Sequence, residues 1–97
     1  MIKILFVCHG NICRSTMAEF YMKEIVRRAG LSGEIEVASA ATTNDEAGND
    51  TYYATKDVLT EKGIPFTPRR AVKMTKDDYN TYDYIIAVSY THLRAHE

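Results

Sequence analysis

Ile2-Lys3-Ile4-Leu5-Phe6-Val7 is β-rich and almost continuously apolar. It reads as a strand buried on both faces, which is the signature of a parallel sheet covered by helices rather than of a half-solvated antiparallel one. A parallel partner requires a crossover, and the next residues supply one. After a polar loop, His9-Gly10-Asn11-Ile12, Ser15 and Thr16 introduce a helical pattern with Glu19 near its start. Met17, Phe20, Tyr21, Ile25 and Val26 then form an apolar stripe expected to be core. Arg27 and Arg28 fall in the last turn, where cations suit the helix dipole, and Gly30 is the expected stop. Residues 34–39 alternate as a second strand, and residues 40–50 read as a polar loop. Residues 51–62 carry Ala54, Val58 and Leu59 at helical spacing, closed by Gly63. Ile64-Pro65-Phe66 is extended, Thr75 and Asp78 open a short helix, and residues 84–88 form a third strand. This order predicts an α/β fold, an open parallel β-sheet with flanking helices and right-handed crossovers.

Size and charge narrow the function classes. A chain of 97 residues is one domain. Lys and Arg number 12 against 13 Asp and Glu, so no basic nucleic-acid arm is present and no nucleic-acid partner is expected. The longest apolar runs, Ile4-Leu5-Phe6-Val7-Cys8 and Ile85-Ile86-Ala87-Val88, fall far short of a membrane span. Met1-Ile2-Lys3 leads straight into the first strand, with no secretory cleavage site. Two close cysteines, Cys8 and Cys13, do not make a disulfide scaffold. A reduced, cytoplasmic protein is the expectation.

The informative segment is Val7-Cys8-His9-Gly10-Asn11-Ile12-Cys13-Arg14-Ser15-Thr16. A loop that ends at a helix N-terminus aims successive backbone N–H groups into one concavity, and the helix dipole adds positive potential there. Gly10 and Asn11 tolerate the tight backbone this needs. Arg14 supplies a planar fork for two phosphate oxygens. Cys8 would stand at the floor, its thiolate favoured by the same donors and its pKa below the free value of about 8.5. Ser15 offers the sulfur a hydroxyl hydrogen bond. An anion nest, a bidentate cation and a soft nucleophile together suit in-line attack on a bound phosphate ester. The competing readings are weaker in each case. Inert buried thiols do not explain the glycine, asparagine, arginine and serine in register. Zinc, with His9 as a third ligand, finds slack Cys-x4-Cys spacing and no second ligand cluster, since His92 and His96 lie far away in the tail. A nucleotide P-loop lacks its Gly-Lys-Ser/Thr. Arg27, Arg28, Arg69 and Arg70 read as solvated or structural, and Tyr52 and Tyr53 as half-buried packing.

CHGNICRS resembles the signature C-x-G-N-x-C-R-S of the low-molecular-weight protein-tyrosine phosphatases in order, spacing and position. Ser39-Ala40-Ala41-Thr42, Gly48-Asn49, Gly63-Ile64, Arg70-Ala71 and Tyr82-Asp83-Tyr84-Ile85-Ile86 are also similar to family segments, so that residues 1–88 carry the resemblance. It implies a flavodoxin-like three-layer fold and a metal-independent, cofactor-free phosphatase acting on phosphotyrosine proteins or small aryl phosphates. Cys8 would be the nucleophile that forms a phosphocysteine, Arg14 would bind phosphate and stabilise the transition state, and Ser15 would assist the thiolate. His9, Gly10, Asn11, Ile12 and Cys13 would line the phosphate with Arg14, Asn11 also ordering the loop. Cys13 would be the redox partner of Cys8, and Asp45 would lie at the pocket rim.

The resemblance also implies a general acid, an aspartate in a loop beyond Glu97. Asp45, Asp77, Asp78 and Asp83 sit in no matching motif. Where the family continues with Met-Asp, this chain reads Val88-Ser89-Tyr90-Thr91-His92-Leu93-Arg94-Ala95-His96-Glu97. The expectation is a family domain over residues 1–88, incomplete at the C-terminus, followed by a non-family tail over 89–97. Impaired turnover follows from the absent acid loop. The rival readings are an arsenate reductase of the related family, which needs further redox cysteines, and a non-catalytic phosphate-binding fragment.

Overall fold

The computed structural model describes residues 1–9, 14–43 and 47–88. Three parallel strands form one sheet: β1 (Ile2–Cys8), β2 (Ile35–Ala41) and β3 (Tyr84–Ala87), in the order β2-β1-β3. Three helices intervene: α1 (Arg14–Arg28), α2 (Tyr53–Glu61) and α3 (Lys76–Thr81). The β1–β2 register runs from Ile2 opposite Ile35 to Cys8 opposite Ala41. The second strand therefore extends two residues beyond the alternating segment, into what the sequence suggested was loop, because Ala40 and Ala41 pair with the end of β1.

Strand alternation divides the core. Leu5, Val7 and Ala40 form one cluster, with Ala38 and Ile85 beside them and Met74 and Tyr82 from either side of α3 packed on top. Ser39 points to the opposite face, where it bonds Glu19 of α1, so α1 lies on that side. A second cluster joins the helices: Phe20, Leu59 and Ile64, with Met17, Tyr21 and Phe66 around them and the Phe20 and Phe66 rings edge to face at 6.2 Å.

The apolar stripe of α1 is used differently from its expectation. The buried positions on this helix are Ser15, Thr16, Glu19, Phe20, Glu24 and Val26, while Ile25 is exposed. Polar side chains occupy the sheet-facing positions of the first turns, so Met17, Phe20 and Tyr21 pack toward α2 instead. Glu19, near the helix start, is buried beneath it. Arg27 and Arg28 both bond Glu24, at 2.6 and 2.9 Å, and Arg27 above all, then Arg28, holds that carboxyl down at about 2 against the opposing effect of desolvation. Tyr52 and Tyr53 are exposed rather than half-buried, their rings 4.7 Å apart. β3 is mostly exposed, with Tyr84 and Ile86 open on the face that α1 covers elsewhere. Among the described residues no helix is long and apolar enough to cross a membrane.

Both long helices end as their glycines indicate. Gly30 N–H donates to Arg27 O and Leu31 N–H to Val26 O; Gly63 N–H donates to Thr60 O and Ile64 N–H to Leu59 O. Each pair is a Schellman motif, with the glycine at φ 74° or 69°. At α2 the motif also seats Ile64 on fully buried Leu59. The start of α2 is held by Asp50, whose carboxylate accepts from Thr51 N–H at 2.7 Å, from Lys56 Nζ at 2.6 Å and from Arg69 N–H at 3.1 Å. Lys56 first, then the two backbone donors, hold Asp50 well below its ordinary 3.8, at about 2.

Gly63→Ala is expected to destabilise the chain by about 1 kcal/mol in urea denaturation, since an alanine at positive φ is strained. Gly33→Ala, at a glycine with ordinary φ and open space for a Cβ, serves as the near-neutral control. Asp50 has a lowered folded pKa, so its stabilising contribution is complete above pH 3.8 and drains away as pH falls toward 2. Asp50→Asn is expected to be less stable than the parent at pH 5 to 7 and to converge on it toward pH 2. Parallel stability curves across that range would contradict the assignment.

Candidate active site

The site forms where β1 ends and α1 begins. Ladder bonds to β2 on one side and β3 on the other fix the path of β1, and with it the position of Cys8. Backbone bonds continue past the strand: Thr42 N–H donates to Cys8 O at 2.9 Å, and Thr43 donates to His9 O through both N–H and Oγ1, at 3.2 and 3.1 Å. The segment after β2 is thereby tied to the first residues of the Cys8 loop.

Cys8 is half-buried, and its Sγ stands 2.9 Å from Ser15 Oγ. Ser15 and Thr16 are fully buried in the first turn of α1, and half-buried Arg14 opens the helix. A hydroxyl donating to sulfur stabilises the thiolate over the thiol. The positive end of the helix dipole acts in the same sense. Cys8, Ser15, Arg14 and His9 are thus gathered at one end of the sheet, as their spacing suggested. Gly10, Asn11, Ile12 and Cys13 lie outside the described residues, as do Asp45 at the expected rim and the tail of residues 89–97. Among the described residues no three His, Cys, Asp or Glu side chains converge as a metal site.

Behind the sulfur lies a buried polar cluster that the sequence reading did not pick out. Glu19 accepts from Ser39 Oγ at 2.5 Å, from Lys23 Nζ at 2.5 Å and from Arg69. The Arg69 guanidinium also donates to Ser39 Oγ. Arg69 is structural, one of the two roles its residue type suggested. Its partners are 30 and 50 residues away in sequence, so no local pattern could name them. The one available signal was an acidic residue at 19, within an otherwise core-facing helix. Asp83 and Asp78 are engaged elsewhere. Asp83 accepts from Lys3 N–H at the start of β1 and Asp78 from Thr75 N–H at the start of α3. Five residue steps along the strand separate Lys3 from Cys8, about 16 Å.

Comparison with known proteins agrees with this geometry. The family model "Low molecular weight phosphotyrosine protein phosphatase" matches residues 3–97, a span that includes the tail segment. The low molecular weight protein-tyrosine-phosphatase YfkJ of Bacillus subtilis is 40% identical over 88 residues, covering 91% of this chain and 56% of that protein. The low molecular weight phosphotyrosine protein phosphatase of Homo sapiens is 40% identical over 91 residues, covering 94% of this chain and 57% of that one. The crystal structure of YfkJ superposes with a TM-score of 0.89 at 37% identity, covering 98% of this chain and 60% of that one. SP-PTP of Streptococcus pyogenes gives 0.86 at 39%, covering 97% and 61%. The chain thus spans little more than half the length of these curated relatives. With the cysteine, serine and arginine seated at the end of a central parallel strand, and a family model matching nearly every residue, the chain belongs to the low molecular weight phosphotyrosine protein phosphatase family.

Proposed function

We propose that this chain carries the nucleophile and the phosphate cradle of a protein-tyrosine phosphatase, acting on phosphotyrosine or aryl phosphate monoesters through a phosphocysteine. The observation that carries the reading is the 2.9 Å contact between Cys8 Sγ and Ser15 Oγ at the N-terminus of α1. It pairs a soft nucleophile with a donor that favours its ionised form.

In the proposed reaction the Cys8 thiolate attacks phosphorus in line. The S–P bond forms as the bond from phosphorus to the phenolic oxygen breaks, and the leaving oxygen takes up a proton. Water then attacks the phosphocysteine, releasing phosphate and the thiolate. Arg14 and the backbone N–H groups of His9, Gly10, Asn11, Ile12 and Cys13 hold the phosphoryl oxygens, and Ser15 receives the sulfur back as an anion. Cys13 is the proposed disulfide partner that protects Cys8 from overoxidation. No metal and no cofactor takes part.

The proton for the leaving group has no assigned source in residues 1–97. Asp50, held at about 2, is ionised at any working pH. Asp83 is bound at the opposite end of β1. General acid catalysis is worth roughly 10²–10⁴-fold, so this chain by itself is proposed to bind phosphate well and turn over slowly.

Phosphate and vanadate are expected to protect Cys8 from alkylation by iodoacetamide, followed by peptide mapping. Turnover of an aryl phosphate is expected at roughly 10²–10⁴-fold below that of a full-length relative assayed alongside. Loss of protection would refute the cradle, and turnover equal to the relative's would refute the missing acid. Ser15→Ala is expected to raise the pH of half-maximal Cys8 alkylation by about one unit, the equivalent of one hydrogen bond to a charged group. An unmoved midpoint would remove Ser15 from the proposed machinery.

A further inference from the structure

Arg69 occupies an unusual junction. Its guanidinium is largely buried, with 15% of the side chain exposed, and donates to both Glu19 of α1 and Ser39 of β2. Ser39 Oγ in turn donates to Glu19, closing a three-membered cluster. The Arg69 main chain faces the other way, donating N–H to Asp50. The same strand of backbone continues the connection: Ala71 N–H donates to Asn49 O at 2.7 Å, and Gly48 N–H to Ala71 O at 2.9 Å. One step on, Ala41 N–H donates to Val72 O, and Met74 N–H to Ala41 O, both at 2.7 Å. Residues 69–74 are thus bonded to the segment at 48–50 on one side and to the end of β2 on the other.

The cluster's place in the fold gives it a consequence for the sulfur. Glu19 lies four residues after Ser15, on the same side of α1 and one turn further along. Ser39 lies two residues before Ala41, the register partner of Cys8. The cluster therefore ties α1 to β2 one layer beneath the point where Ser15 meets Cys8. Apolar packing is non-directional and permits a helix to slide or roll on a sheet. Directional hydrogen bonds from one guanidinium nitrogen, Nη1, to a carboxylate on α1 and a hydroxyl on β2 oppose both motions.

We propose that Arg69 is a positioning residue for the phosphate site: through Glu19 and Ser39 it sets the depth of α1 that keeps Ser15 on Cys8, and through its backbone it joins the 48–50 segment to that same frame. The inference rests on the functional reading above, and it extends that reading to a residue more than 50 positions from the loop. Arg69 touches no substrate in this scheme. Its influence on the thiolate is transmitted by the seat of α1.

The test uses the whole 97-residue chain and its variants Ser39→Ala, Arg69→Lys and Arg69→Met. Three quantities are read: the far-ultraviolet circular dichroism spectrum, the pH of half-maximal Cys8 alkylation, and the inorganic phosphate concentration that halves the alkylation rate. Arg69→Met is expected to shift the alkylation midpoint upward and to raise the half-protecting phosphate concentration about tenfold, as loss of roughly one directional charged hydrogen bond would. Arg69→Lys keeps the charge without the planar guanidinium and is expected to recover part of both. Ser39→Ala removes only a hydroxyl and is expected to fold and to move both quantities in the same direction, so it decides the matter should Arg69→Met fail to fold. Folded variants with the parent's midpoint and half-protecting concentration would overturn the proposal. Failure of the broader functional reading looks different, because phosphate would then leave Cys8 unprotected in the unsubstituted chain as well, and this inference would fall with it.

Discussion

A sulfur and a hydroxyl meet at 2.9 Å where a central strand stops and a helix starts, and much of the molecule serves that meeting. Cys8 arrives on β1, whose course is set by ladder bonds on both sides. Ser15 arrives on the first turn of α1, with its side chain wholly removed from water. The contact thus joins two independent structural constraints at one point, where the proposed role of the hydroxyl and the helix dipole is to favour negative charge on the sulfur.

Seating polar chemistry beneath a helix has a structural cost. The sheet-facing positions in the first turns of α1 are Ser15 and Glu19, with Thr16 buried beside them, where a purely structural helix would place aliphatic side chains. Burying a carboxylate is unfavourable unless it is paired and hydrogen-bonded. Glu19 meets that requirement through Lys23, Ser39 and Arg69. The apolar side chains displaced from the sheet are not wasted. Met17, Phe20 and Tyr21 turn toward Leu59 and Ile64 and build the second core. A polar underside and a lateral apolar face explain why the apolar stripe of the helix does not coincide with its buried positions.

The sheet is unevenly covered. β1 lies between its two neighbours and contributes Leu5 and Val7 to the core, whereas β3 leaves Tyr84 and Ile86 open to solvent. An exposed apolar strand is where a sheet most readily gains a further partner. The contrast matters for the site only indirectly, because Cys8 is carried by the central strand, the best restrained of the three.

Local order was legible in the sequence; long-range partnership was not. A continuous apolar run before Cys8 marked a doubly covered strand, Gly30 and Gly63 marked both helix ends through a backbone geometry that other residues resist, and Cys8 and Ser15 stood close enough in sequence for their contact to be anticipated. Periodicity misplaced Ile25, which is exposed, and did not single out Glu19 as buried, because a helix's own sequence does not say which neighbour each side will meet. The extension of β2 to Ala41 depended on pairing with β1, and the union of Glu19, Ser39 and Arg69 depended on α1, β2 and the segment after α2 all closing on one point. Residues near in sequence declare their chemistry through spacing, whereas the direction of a buried charge's bonds is settled only when the chain has folded and water is gone.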